Sequence, residues 1–179
     1  QVALLTQTYA SPSTSRLIDD FRMMYPNVSH VTYDAISEDA ALTAFEQKYG
    51  ERALPDYDFS KAELIISFGA DFLGDWHGGG FDGGYAKGRV PKNGKMSRHV
   101  QFESIMSLTG ANADKRVPLT PTQQKVALAK LYSKLNGTAI GGDIPETAER
   151  VLDALVSEIG TDSGKAVVVT GLDDVHAQS

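Results

Sequence analysis

The chain has 179 residues, a formal net charge of −6, no cysteine, and ordinary globular shares of hydrophobic (41%) and charged (22%) residues, enough for one well-packed α/β domain. The acidic balance argues against a nucleic-acid or anionic-membrane surface, and no apolar run approaches the roughly 20 residues that span a bilayer. The absence of cysteine excludes disulfides, cysteine-ligated iron–sulfur clusters and a cysteine ligand to molybdenum within this chain, while leaving the redox compartment open.

A first strand is predicted over Val2–Thr6. Ser11 is a natural N-cap with Pro12 at the first helical position, and Leu17, Ile18, Phe21 and Met24 recur at helical spacing up to Tyr25-Pro26. A second strand follows over Val28–Tyr33. A second helix runs from Glu38 to Tyr49, capped by Ser37 and stopped by Gly50. The third strand, Glu63–Phe68, is a continuous apolar run of the kind buried inside a parallel sheet. Residues 69–94 hold nine of the chain's 17 glycines and its only tryptophan, and read mainly as a long loop with a short helix near Phe81–Lys87. Phe72, Trp76 and Phe81 in that loop point to a contact surface for another part of an assembly. A fourth strand is predicted over His99–Glu103. Thr120-Pro121-Thr122-Gln123 is a capping box that opens a helix to Leu135, and Asp143-Ile144-Pro145-Glu146 opens another that ends near Ile159-Gly160. The last strand is Lys165–Thr170, with no room after it for a helix.

This order predicts an α/β fold, a three-layer, mainly parallel Rossmann-like sheet with helices on both faces. Both ends read as cut, because a strand begins at the second residue without a signal peptide and another stops just before the end. The chain reads as a single domain, residues 1–179, taken from a larger polypeptide.

Open parallel sheets place ligands at the carboxyl ends of their strands. The Gly69-Ala70-Asp71 turn there lets a phosphate or ribose approach the backbone, or is a turn that needs a small residue for steric reasons. Glu103, closing the fourth strand, is placed either to accept hydrogen bonds from a ribose or guanine or to cap the following turn. Asp71, Asp75, His77 and Asp82 match no metal cage, and a solvated loop is the simpler reading. His30 and His99 lie on strands as packed or hydrogen-bonded residues. No nucleophile elbow, dinucleotide fingerprint or P-loop is present, and no general acid–base pair can be assembled from spacing.

The stretch Ala62-Glu63-Leu64-Ile65-Ile66-Ser67-Phe68-Gly69-Ala70-Asp71 resembles the strand and Gly-Ala-Asn turn of molybdopterin-dependent oxidoreductases. The blocks Phe68–Trp76, Tyr85–Arg89, Met96–Ser104 and Ser107–Asp114 are similar, in this order, to the molybdopterin-oxidoreductase-like part of the large iron–sulfur subunit of alternative complex III, a bacterial quinol:electron-acceptor oxidoreductase. In cofactor-binding members the turn and the aspartate of the later strand help to hold molybdopterin guanine dinucleotide. The matching positions are Gly69, Ala70, Asp71 and Glu103. Asp71 stands where the family has asparagine, which sets negative charge near a phosphate. Ser104-Ile105 stands for Pro-Arg, and Thr120 for the arginine of a later motif, so cations are lost as well.

The resemblance therefore implies a non-catalytic, molybdopterin-fold scaffold domain with vestigial cofactor positions and no cofactor in this chain. Iron–sulfur clusters are expected elsewhere in the full subunit. Its implied partners are other domains and subunits of a membrane-associated quinol-oxidising electron-transfer complex on the periplasmic side of a bacterial membrane. Nucleic acid and direct membrane insertion are not expected. The alternatives are a molybdopterin guanine dinucleotide-binding domain of an active molybdenum oxidoreductase, and a stand-alone dinucleotide-binding domain. The missing glycine fingerprint after the first strand counts against the latter.

Overall fold

Alternation along two buried strands decides the layering of this protein. The computed structural model describes residues 2–7, 9, 11–161 and 164–179, which fall into two compact units, Gln1–Ser37 and Glu38–Ser179.

The first unit is β1 (Val2–Thr6), α1 (Pro12–Met24) and β2 (Val28–Thr32). The Ser11 side chain caps α1 by accepting from the Thr14 amide, with Pro12 at the first position as expected. β1 and β2 pair in parallel, Val2 opposite Val28, in a two-stranded sheet of their own. His30 Nε2 lies 2.9 Å from Thr6 Oγ1 across this pair.

The second unit contains α2 (Asp39–Tyr49), β3 (Leu64–Phe68), α3 (Asp82–Arg89), β4 (Arg98–Glu103), α4 (Leu108–Ala111), β5 (Lys115–Pro118), α5 (Pro121–Asn136), α6 (Glu146–Thr161), β6 (Ala166–Thr170) and α7 (Val175–Gln178). Its four strands form one parallel sheet in the order β5-β4-β3-β6. β3 is paired on both sides and covered on both faces, so every one of its residues is buried and its sequence has no polar alternation. Leu64, Ile66, Phe68, Val100 and Phe102 face α5 and α6, where they meet Ala127, Leu131, Leu152 and Leu155. Ile65 and Val169 face the other way, under Phe59, Phe72, Trp76, Phe81 and Tyr85. The result is an α/β, Rossmann-like, three-layer arrangement with a parallel sheet flanked by helices.

Three local expectations are corrected. The glycine-rich segment is not an open contact loop. It forms a 3-10 turn at Trp76–Gly78 and the helix α3, and it buries Phe72, Trp76 and Phe81 against the sheet, with the Phe59 and Phe72 rings 4.4 Å apart. Burying such rings contributes about 1.5–3 kcal/mol each, which offsets part of the cost of ordering a glycine-rich backbone. Residues after Asp114 are not simply a lead-in to α5, because Lys115–Pro118 add the edge strand β5. The end of the chain does carry a short helix, α7, whose N-cap Asp174 accepts from the His176 and Ala177 amides. The capping box of α5 forms as expected, with both reciprocal bonds between Thr120 and Gln123.

Candidate functional site

Gly69, Ala70, Asp71 and Glu103 do gather at the carboxyl ends of β3 and β4, where an open sheet places a ligand. What surrounds them decides whether one fits. Gly69 takes φ +72°, a left-handed conformation that makes the sharp turn after β3 possible. Its amide, a donor that a phosphate would require, is committed to the Phe102 carbonyl at 2.8 Å. The Gln124 side chain from α5 lies over Gly69, so that a Cβ there would meet Gln124 Oε1 at 2.7 Å. Gln124 is itself held, donating to Ser104 Oγ at 2.8 Å and to the Leu119 carbonyl at 3.1 Å.

Ala70 is fully buried. Its carbonyl accepts from Ser67 Oγ and from Gln101 Nε2. The backbone after β6 closes the other side: Gly171 lies so near that a Cβ on it would stand 2.6 Å from the Gly69 carbonyl.

The two carboxylates serve the turn that follows β4. Asp71 Oδ1 accepts from both the amide (2.9 Å) and the hydroxyl (2.6 Å) of Thr109, and the same hydroxyl accepts from the Leu73 amide. Glu103 is almost completely buried. It accepts from Ser107 Oγ at 2.6 Å, from the Ser107 amide and from Arg116 Nε on β5. Ser107 in turn caps α4 by accepting from the Gly110 amide. A Cβ at Gly110 would fall 1.9 Å from Glu103 Oε1, so the carboxylate fits only against glycine. Of the two roles open to Glu103 from sequence, the geometry realises the turn cap. A paired and hydrogen-bonded charge is the condition under which a buried carboxylate is tolerated.

A buried polar chain continues along this face of β4. Tyr85 Oη lies 3.2 Å from His99 Nδ1 and donates to the Asn112 carbonyl, and His99 Nε2 lies 3.2 Å from Gln101 Oε1. Burial pushes the His99 imidazole down to about 4, so it is neutral near pH 7. Burial likewise raises the Tyr85 phenol. Asp114 holds the strand's start, accepting from the His99 amide and from both Arg89 guanidinium nitrogens at 2.6 and 2.7 Å. The Arg89 hydrogen bonds hold its carboxyl below the usual range.

Asp75 and Asp82 are exposed and do not converge with Asp71. His77 Nε2 is 3.1 Å from Glu38 Oε2, at ion-pair distance but outside hydrogen-bond geometry, and burial lowers its pKa against the opposing pull of Glu38. Among the described residues no group of three or more metal-ligating side chains is assembled. No described helix is long and apolar enough to cross a membrane.

Sequence reasoning missed Ser107, Thr109, Arg116 and Gln124. Ser107, three residues before a glycine in a turn, carried a local capping signal. Arg116 reaches Glu103 only because β5 pairs with β4, with Gln101 opposite Arg116.

At this end of the sheet the Gly69 amide is bonded to the Phe102 carbonyl, Gln124 and the backbone at Gly171 pack against the turn, and Asp71 Oδ1 and both Glu103 oxygens accept hydrogen bonds from the chain itself. No protein-family model matches the chain, and no curated protein matches it.

Proposed function

We propose that this chain is a non-catalytic scaffold domain of molybdopterin-oxidoreductase type, belonging to an iron–sulfur subunit of a membrane-associated quinol-oxidising complex. Its work is to hold neighbouring domains and subunits in place, on the periplasmic side of a bacterial membrane, with the clusters carried elsewhere. One observation carries the reading: the turn at Gly69, where a cofactor-binding member would meet a phosphate, is closed by side chains and backbone of the same chain. The resemblance of the four sequence blocks supplies the family context, and the departures at Asp71 and Ser104-Ile105 remove the charge a dinucleotide would need.

The test is elemental and nucleotide analysis of the full subunit, produced in a host that makes the cofactor. The expected outcome is molybdenum, tungsten and released guanine nucleotide far below one per chain. Near-stoichiometric metal together with nucleotide overturns the scaffold reading in favour of a cofactor-binding domain.

A further inference from the structure

The opposite end of the sheet is open. A cleft of about 670 Å³ lies at the amino ends of β3, β4 and β6, bordered by the end of α3 and the segment joining α3 to β4. The sequence around it inverts the charge of the protein. Residues 83–102 carry Lys87, Arg89, Lys92, Lys95 and Arg98 without one carboxylate, in a chain whose net charge is −6.

Part of that charge is structural. Arg89 is bound to Asp114, Arg98 to Glu158, and Lys165 to Glu63. These pairs use the two carboxylates that line the cleft. Lys87, Lys92 and Lys95 have no acidic partner within ion-pair distance among the described residues. Two of them are held in place by the backbone. Lys92-Asn93-Gly94-Lys95 is a tight two-residue hairpin, with φ of +53° at Asn93 and +75° at Gly94 and mutual backbone bonds between Lys92 and Lys95 of 2.8 and 3.0 Å. Beside them Val90 and Met96 are 60% and 50% exposed. Ser97, on the same wall, is buried with a hydroxyl that has no hydrogen-bond partner among the described residues.

We propose that this cleft is a docking groove for an acidic segment of a partner protein that inserts an apolar side chain between the lysines. Charge complementarity names the acidic character of the partner. The exposed Val90 and Met96, which line the cleft together with the lysines, name the anchor, since apolar surface among polar groups is how interfaces are built. A free phosphate fits less well. The backbone amides of Lys92, Lys95, Ser97 and Arg98 are all committed to carbonyls, leaving no amide cradle among them. Lysine ammoniums are point charges that select for charge rather than for the shape of one anion. A bilayer is flat, and this surface is concave. The inference does not depend on the scaffold reading, because it concerns the other end of the sheet and is read without reference to metal or nucleotide.

The experiment measures binding of a fluorescent peptide of alternating glutamate and leucine to the chain, with a serine-for-leucine peptide, inorganic phosphate and phosphatidylserine vesicles as parallel probes. The expected result is salt-sensitive binding of the glutamate–leucine peptide. It weakens by about tenfold or more in Lys87→Glu/Lys92→Glu/Lys95→Glu, weakens in Val90→Ser/Met96→Ser, and is unchanged in Lys48→Glu on α2. All these positions are on the surface, and matched thermal melts verify that each variant is folded. Absence of peptide binding, equal binding by the lysine variant, or equal binding of the serine peptide overturns the proposal. So does preference for the vesicles or phosphate, or a self-association of the chain that the lysine variant abolishes, since each assigns the cleft a different occupant.

Discussion

At Glu103 a single carboxylate joins three elements: β4, which carries it, β5 through Arg116, and the α4 turn through Ser107. Such a charge is costly to bury and costlier to leave unpaired. Glu103→Gln keeps the shape but weakens the charge-assisted bonds, and should lower unfolding stability by about 1–3 kcal/mol in urea titrations. Gly110→Ala should cost a similar amount by driving a methyl group into Glu103 Oε1, about 1–3 kcal/mol as overpacking. The two effects share one contact. In a cycle with Glu103→Ala, the alanine at 110 should therefore cost clearly less than it does in the native background. Strict additivity would mean that Glu103 does not abut Gly110. A stability unchanged in Glu103→Gln would mean that the carboxylate is free for another role.

β4 shows how one strand divides its labour. Val100 and Phe102 enter the apolar layer under α5 and α6, while His99, Gln101 and Glu103 line the opposite face as a hydrogen-bonded polar row. Because burial holds His99 near 4, against an ordinary value of 6.5, the folded protein takes up its proton later than the unfolded chain does. The unfolded state binds more protons between these values, so the contribution is fully present above pH 6.5 and is lost as pH falls toward 4. The depression amounts to about 3 kcal/mol. His77 is lowered in the same sense, so the diagnostic quantity is a difference between proteins. His99→Gln should show a shallower loss of stability between pH 6.5 and 4.5 than the native chain. Asp114, whose carboxyl is lowered, acts in a separate window, its contribution being present above about 3.8 and lost below. Identical pH slopes in the two proteins would mean that the imidazole is solvated rather than buried.

On the scale of the whole molecule, both apolar clusters are built from residues at or beyond Tyr57, entirely within the second unit. The first unit buries little of its own helix, Ile18 alone among the residues of α1. A chain of residues 38–179 should therefore fold and unfold cooperatively, with the Trp76 fluorescence of the full chain. Loss of a cooperative transition on removing residues 1–37 would show that the second unit's core is not self-sufficient. No glycine- or proline-rich linker marks the boundary at Ser37–Glu38, so composition offers no sign of two units.

Local chemistry by itself determined several of the element ends. Ser11-Pro12 starts α1, the Thr120–Gln123 box starts α5, Gly50 ends α2 in the left-handed conformation, and the unbroken apolar run of β3 declares a buried parallel strand. These signals act over four or five residues, and neighbouring chain cannot easily override them. The α/β class followed from their order. Tertiary structure alone decided what the site became. Whether Glu103 faces a ligand or caps a turn depends on Arg116, Ser107 and Gly110, brought to it by strand pairing and chain reversal rather than by spacing. Whether Gly69 is open depends on Gln124, fifty-five residues away on a helix that packs above it. The aromatic side chains of the glycine-rich segment were legible as anchors, but not their target. An exposed partner and the protein's own sheet offer the same apolar burial, and only the bare face formed by Ile65, Val167 and Val169 made the second choice available.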